Sequence, residues 1–304
     1  MSSLSPLLLE PITPLQLQLT RQYITPNVQL FERAFYEWRA ALDDVWKHGS
    51  TTKVSAQKNV FLQYAVSLHK KVYLKSYVDN YPIGMCFNIT KIAFEYIHRF
   101  EFKSRQSPFY PIKEFVDAGG IFKVIWGEVR HEVFQTALQI GNWCFDTAND
   151  TVIESKPKVL CFTFDAPECE FYSIISMNQY LDIVQPYHQC KMYINNIFPA
   201  LLPYFPLIQE LSNGKLSLVN SDYVRYLMKL ENFSFLKIHT LPSLSKYQIE
   251  HISRILAPLK QKYLLPYLLE VSEFDERLLS FKSMSDEEIK RQMAATKYIN
   301  FLWV

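Results

Sequence analysis

Glycine is the scarcest informative residue in this chain, with seven in 304 positions. Phosphate-cradling loops and the strand-to-helix turns of nucleotide folds need backbone without a Cβ. The only adjacent pair is Gly119-Gly120, and neither a Walker-type nor a dinucleotide-type spacing occurs. P-loop and Rossmann architectures are excluded on this ground, and no nucleotide cofactor is implied. Charge of one sign is also lacking. With 32 basic and 30 acidic residues the formal net charge is +2, so no global field draws the chain toward nucleic acid or an anionic membrane. The basic and aromatic stretches "HKKVYLKSY" and "HRFEFKSR" read instead as snorkelling cations over aromatic packing. Long apolar runs are missing as well. The longest, "IFPALLPYFPLI", is too short to span a bilayer and holds three prolines. The first residues, "MSSLSPLLLEPITP", have neither a basic n-region nor a small-residue cleavage site. Five scattered cysteines without a Cys-x-x-Cys spacing predict a reducing, cytoplasmic setting.

What the chain does have is hydrophobic and aromatic weight, 49% and 15%, at 20% charged residues. That composition folds. The first 100 residues read as a helical layer: "NVQLFERAFYEWRAALDDVWKHG" carries apolar residues at three and four spacing and closes on Gly49 as a C-cap, "SAQKNVFLQYAVSLHKKVYLKSYV" reads as a second helix, and a third runs from about Cys86 to Phe100. A short helix over "SPFYPIKEFVDAGG" and a strand at "IFKVIW" follow, then a helix at "EVRHEVFQTALQIG".

From residue 141 to about 176 the runs "NWCFDTANDTVIES", "KPKVLCFTFD" and "CEFYSIIS" predict an antiparallel meander, joined by "GKLSLVN" and "NFSFLKIHT" farther on. Helix returns in "SMNQYLDIVQPY", "KMYINNIFPALLPYFPLIQEL", "SDYVRYLMKL" and "SLSKYQIEHISRILAPLKQKYLLPYLLEV", and Ser285 and Glu288 are spaced as a capping box. The reading is one α+β unit over 1–304, mainly helical with a small antiparallel meander in the middle and a soft boundary near 104–110.

Two Glu-x-x-His pairs, Glu95/His98 and Glu128/His131, raise a metal site, because carboxylate-bridged di-iron bundles use two such pairs on facing helices. At about 100° per residue, however, both glutamates face away from the apolar arc and both histidines border it, so the iron or divalent-metal oxidoreductase reading ranks last. The same wheel sets Arg130 between Ala137 and Phe134, near the middle of an apolar face. A buried guanidinium demands an anion. Asp146 and Asp150 in "CFDTANDT" are the carboxylates expected to reach it.

Arg130, His131, Asp146 and Asp150 are therefore the candidate catalytic or binding set: Arg130 to hold an anionic or polar small molecule, His131 to move protons, the aspartates to orient them. The competing account of the same residues is a structural Arg–Asp pair. His188 and Cys190 are too close in sequence to read as a nucleophile and base, and Asp43-Asp44 lacks the third carboxylate of a magnesium motif. The alternative function is a non-catalytic interaction protein or accessory subunit that binds another protein through its aromatic-rich surface.

Overall fold

The computed structural model describes residues 8–72, 78–167, 169–195, 202, 205–219, 221–232, 234–235 and 241–259. The capping box at Ser285 and the end of the last expected helix lie outside these. The chain is α+β and divides into two compact units, Leu7–Ile174 and Ile175 onward; residues 104–110 lie within the first.

Among the described residues, the first unit opens with the α-helices α1 (Pro14–Leu19), α2 (Val28–His48), α3 (Ala56–Val72), α4 (Cys86–Arg99) and α5 (Tyr110–Asp117). The long helix α2 stops where expected. Gly49 takes the left-handed conformation at φ 77° and its N–H reaches the Val45 carbonyl, 2.9 Å away, a geometry that only glycine enters without a steric cost. Phe31, Phe35, Trp38, Leu42 and Val45 form the buried stripe of α2. Phe35 packs its ring 4.8 Å from Phe109, just before α5, and 5.5 Å from Phe145 of the sheet.

That sheet has strands β1 (Phe122–Val129), β2 (Val133–Ile140), β3 (Trp143–Asp146), β4 (Leu160–Thr163) and β5 (Phe171–Tyr172) in the order β4-β3-β2-β1-β5, antiparallel throughout. It begins at Phe122, earlier than the meander expected from 141. The expected helix over "EVRHEVFQTALQIG" is instead the turn of a hairpin and its second strand. Two physical facts explain the difference. Strand β2 is buried on both faces over almost its whole length, so it lacks the alternation that marks a half-exposed strand, and its Ala, Leu and Gln are good helix formers. The turn residues Arg130 and His131 lie at φ 60° and 58°, where Asn-Gly is the usual signal. Each non-glycine residue there costs about 1 kcal/mol.

Alternation along the strands splits the sheet into two faces. Leu138, Ile140 and Phe145 point into the helical core with the stripes of α2 and α4, and Thr90 of α4 donates to the Thr136 carbonyl at 2.9 Å. Ile125, Ala137, Cys144 and Phe171 form a smaller apolar cluster on the other face. Gly127 allows β5 to close on β1, since a Cβ there would sit 2.2 Å from the Tyr172 carbonyl oxygen.

The second unit contains α6 (Met177–Tyr187), β6 (Lys191–Ile194), β7 (Leu207–Glu210), β8 (Leu216–Leu218), α7 (Asp222–Leu230) and α8 (Lys246–Leu259), with strand order β6-β7-β8. Ser176 and Ser221 cap α6 and α7 through their hydroxyls. The described ends of the segment expected as one helix, "KMYINNIFPALLPYFPLIQEL", are strands β6 and β7. "GKLSLVN" supplies β8 of this separate sheet and does not extend the meander. Among the described residues no helix is long and apolar enough to cross a membrane.

Candidate functional site

The guanidinium expected on an apolar face belongs to Arg39, not to Arg130. Arg39 sits within the buried stripe of α2, fully shielded from solvent, and grips Asp150 with two parallel bonds of 2.8 and 3.1 Å. Its Nε donates to Asp43 at 3.0 Å, and Nη1 also reaches the Thr147 carbonyl at 3.1 Å. Asp43 in turn accepts from Tyr81 and Lys158. Burial alone would pull the Arg39 pKa down; Tyr81, Asp43 and Asp150 outweigh it and hold the pKa above its ordinary value. The signal in the sequence is faint: on the α2 wheel Arg39 only borders the apolar arc, next to Trp46, with Asp43 one turn on. Asp150 is thereby committed to tying the β3–β4 connection to α2.

Arg130 is half exposed at the tip of the β1–β2 hairpin. Its side chain pairs with Glu170 and its backbone N–H donates to the Glu170 carbonyl at 3.2 Å. The pair raises the Arg130 pKa. His131 is exposed beside it, its ring stacked at 5.1 Å on Tyr172 and its Nδ1 2.7 Å from the buried Glu128 carboxylate. Glu128 and His131 do meet, but across a turn rather than along a helix.

The first pair lies on α4. Glu95 faces Arg99 at 3.8 Å, while His98 stacks among Phe94, Phe102 and Phe122, where burial lowers its pKa. The geometry that motivated a di-iron bundle, both pairs on helices, is therefore not met. Among the described residues no group of three or more His, Cys, Asp or Glu side chains is placed to hold a metal.

Of the four predicted catalytic residues, Arg130 and Asp146 share one cavity of about 400 Å³; His131 and Asp150 are not among its lining. The cavity opens on the sheet face away from the helical core. Val133, Leu160, Phe162 and Phe171 supply apolar walls, Val152 and Ile153 cover one side from the β3–β4 connection, and Arg130, Glu132, Lys156 and Glu170 also line it. Its polar floor is Gln135, Cys144 and Asp146. These residues sit together because of register. Gln135 and Ala137 share a face of β2, and the pairing of Gln139 with Cys144 carries Asp146 of β3 onto that same face.

Gln135 and Asp146 are 4% and 5% exposed. Gln135 Nε2 donates to Asp146 Oδ2 at 2.6 Å and to the Ala148 carbonyl at 3.1 Å. Because a carbonyl only accepts, this fixes which end of the amide faces inward. The other end, Gln135 Oε1, is buried with no hydrogen-bond partner among the described residues. The second Asp146 oxygen accepts the Ala148 N–H at 2.9 Å. Burial pushes the Asp146 carboxyl up to about 7 against the pull of those two hydrogen bonds, with Asp150 raising it further and Arg39 lowering it. Burial also pushes the Cys144 and Cys161 thiols up, so neither is a ready nucleophile. On a helix over this segment Gln135 would face solvent; only the strand brings it to Asp146.

Comparison with models of protein families, with curated protein sequences and with solved structures finds no match.

Proposed function

We propose that the protein binds a small polar molecule in the cavity on the sheet face and that Asp146 is the group that exchanges a proton with it at neutral pH. The observation that carries this reading is Gln135 Oε1, a buried acceptor without a partner among the described residues, beside a carboxyl whose pKa lies near 7. An unsatisfied buried polar atom costs about 1–3 kcal/mol, and native chains retain few of them. A ligand that donates to Gln135 recovers that cost. The cavity volume falls in the range of small-molecule sites, and a carboxyl that titrates near the working pH suits general acid or base chemistry. Arg130 is engaged by Glu170, so the recognition element is the floor rather than the arginine.

A fragment screen followed by amide and side-chain NMR shifts tests this. Expected are perturbations at Val133, Gln135, Cys144 and Phe162. Fragments that shift none of these residues refute the reading.

A second reading, docking of another protein, is supported by Val60, Tyr64 and Leu68, exposed at four-residue spacing along α3. A photo-crosslinker at position 64 would capture one defined partner if that face is an interface. Recovery of the uncrosslinked chain alone counts against it. The reducing, cytoplasmic setting rests on the five free cysteines.

A further inference from the structure

Hydrogen-bonding capacity at the cavity floor narrows the ligand class. Both Gln135 N–H groups are used, on Asp146 and on Ala148. What remains is acceptor capacity: Gln135 Oε1, unpartnered among the described residues, and the further lone-pair capacity of Asp146 Oδ2. With Asp146 ionised, the donor left among the described residues of the floor is the weak S–H group of Cys144. A carboxylate ligand, which only accepts, would find no strong donor there and would face the like charge of ionised Asp146. A hydroxyl would satisfy one acceptor and bury lone pairs of its own. An ammonium has donors only, so it is the simple head group whose inventory is the complement of this floor.

Charge points the same way. Near the mouth, Arg130 and Lys156 are matched by Glu132 and Glu170. Behind the floor, Arg39 and Lys158 are matched by Asp43 and Asp150. Of the ionisable neighbours, the thiols of Cys86, Cys144 and Cys161 have pKa values raised by burial, and all three feel Asp146. That leaves the Asp146 carboxylate as the unbalanced charge among the described residues in contact with the cavity. A buried charge is stabilised by an opposite one in hydrogen-bonded contact.

We infer that the cavity takes a primary amine on an apolar body, the ammonium seated between Gln135 Oε1 and the Asp146 carboxylate and the body against Val133, Leu160, Phe162 and Phe171. This rests on the proposal that the cavity is a ligand site. The ammonium selects ionised Asp146, so below the carboxyl pKa binding expels the Asp146 proton to solvent.

Three probes with one ring and different heads separate the possibilities: 2-phenylethylamine, 2-phenylethanol and 3-phenylpropionate, titrated calorimetrically into the whole chain. The amine stays protonated across neutral pH, as alkylammonium groups do. Expected is amine affinity above that of the other two, rising roughly tenfold from pH 6 to pH 8 as Asp146 ionises, with alcohol affinity flat. In two buffers of different ionisation enthalpy at pH 6.5, amine binding should release roughly 0.8 proton. Asp146→Asn should abolish both the preference and the pH dependence; the proton count on the unaltered chain decides the matter if that variant fails to fold. Alcohol or carboxylate binding as tightly as amine, or amine binding without proton release, overturns the inference and leaves the cavity as a ligand site. Failure of all three probes up to their solubility limits overturns the ligand-site reading together with it.

Discussion

Replacing Asp146 with Asn should make the protein less sensitive to rising pH. Asp146 is unusual among aspartates because its folded pKa is raised, to about 7 from an ordinary 3.8. Below about pH 4 both folded and unfolded chains hold the proton, and there is no differential. Between pH 4 and 7 the unfolded chain has lost it and the folded chain keeps it, so stability falls as pH rises, and the loss is complete above the folded pKa. A gap of about 3 pH units at about 1.4 kcal/mol each gives a total loss of roughly 4 kcal/mol, of which roughly 2.5 kcal/mol falls between pH 5 and pH 8.

Asp146→Asn has no carboxyl to ionise, yet its amide oxygen can still accept the Ala148 N–H. Urea unfolding of both proteins at pH 5 and pH 8 isolates the contribution. The stability of the unaltered protein relative to the variant should drop by roughly 2–3 kcal/mol between the two pH values, with other carboxylates cancelling in the comparison. A relative stability equal at both pH values would refute the burial argument, and an opposite slope would mean the carboxylate is stabilised by a partner.

Other perturbations separate the charges that matter to folding from those that do not. Arg39→Met strands Asp43 and Asp150 without their buried counter-ion and should cost about 3–5 kcal/mol in urea unfolding at neutral pH; a loss too small to measure would contradict the assignment of Arg39 as the buried guanidinium. Arg130→Ala, by contrast, removes an exposed partner of Glu170 and should leave the urea midpoint in place, and a large shift would show that the hairpin tip depends on that pair. Gly127→Ala pushes a methyl against the Tyr172 backbone and the Phe171 ring. It should cost about 1–3 kcal/mol and expose the amides that pair β1 with β5 to hydrogen exchange, and unchanged protection at Val129 and Phe171 would count against the close approach of β5 to β1.

How much of this is legible in the sequence follows from which forces are local. Helix α2 is readable from end to end because its stripe and its glycine cap are encoded within a few residues of each other. The β1–β2 hairpin is not, because the two features that define it are tertiary. Burial on both faces erases alternation from β2, and the left-handed Arg130-His131 turn is held by Glu170, Glu128 and Tyr172 rather than by a turn-forming dipeptide. A helix over the same residues would put Arg130 in a core and turn Gln135 toward solvent, the reverse of what the strand does. Asp146 belongs to the site for a different reason than reach to Arg130: its surroundings are set by Gln135, Ala148 and burial. Arg39 only borders the apolar arc of the α2 wheel, and it carries no motif spacing of the kind that makes Glu-x-x-His conspicuous.

A buried, proton-poised carboxyl facing a ligand cavity is tested most directly by a ¹³C NMR titration of the Asp146 carboxyl, assigned by its absence in Asp146→Asn. A midpoint near 7 in the free protein, displaced downward by saturating 2-phenylethylamine, is the predicted result. A midpoint near 4 that the amine does not move would contradict it.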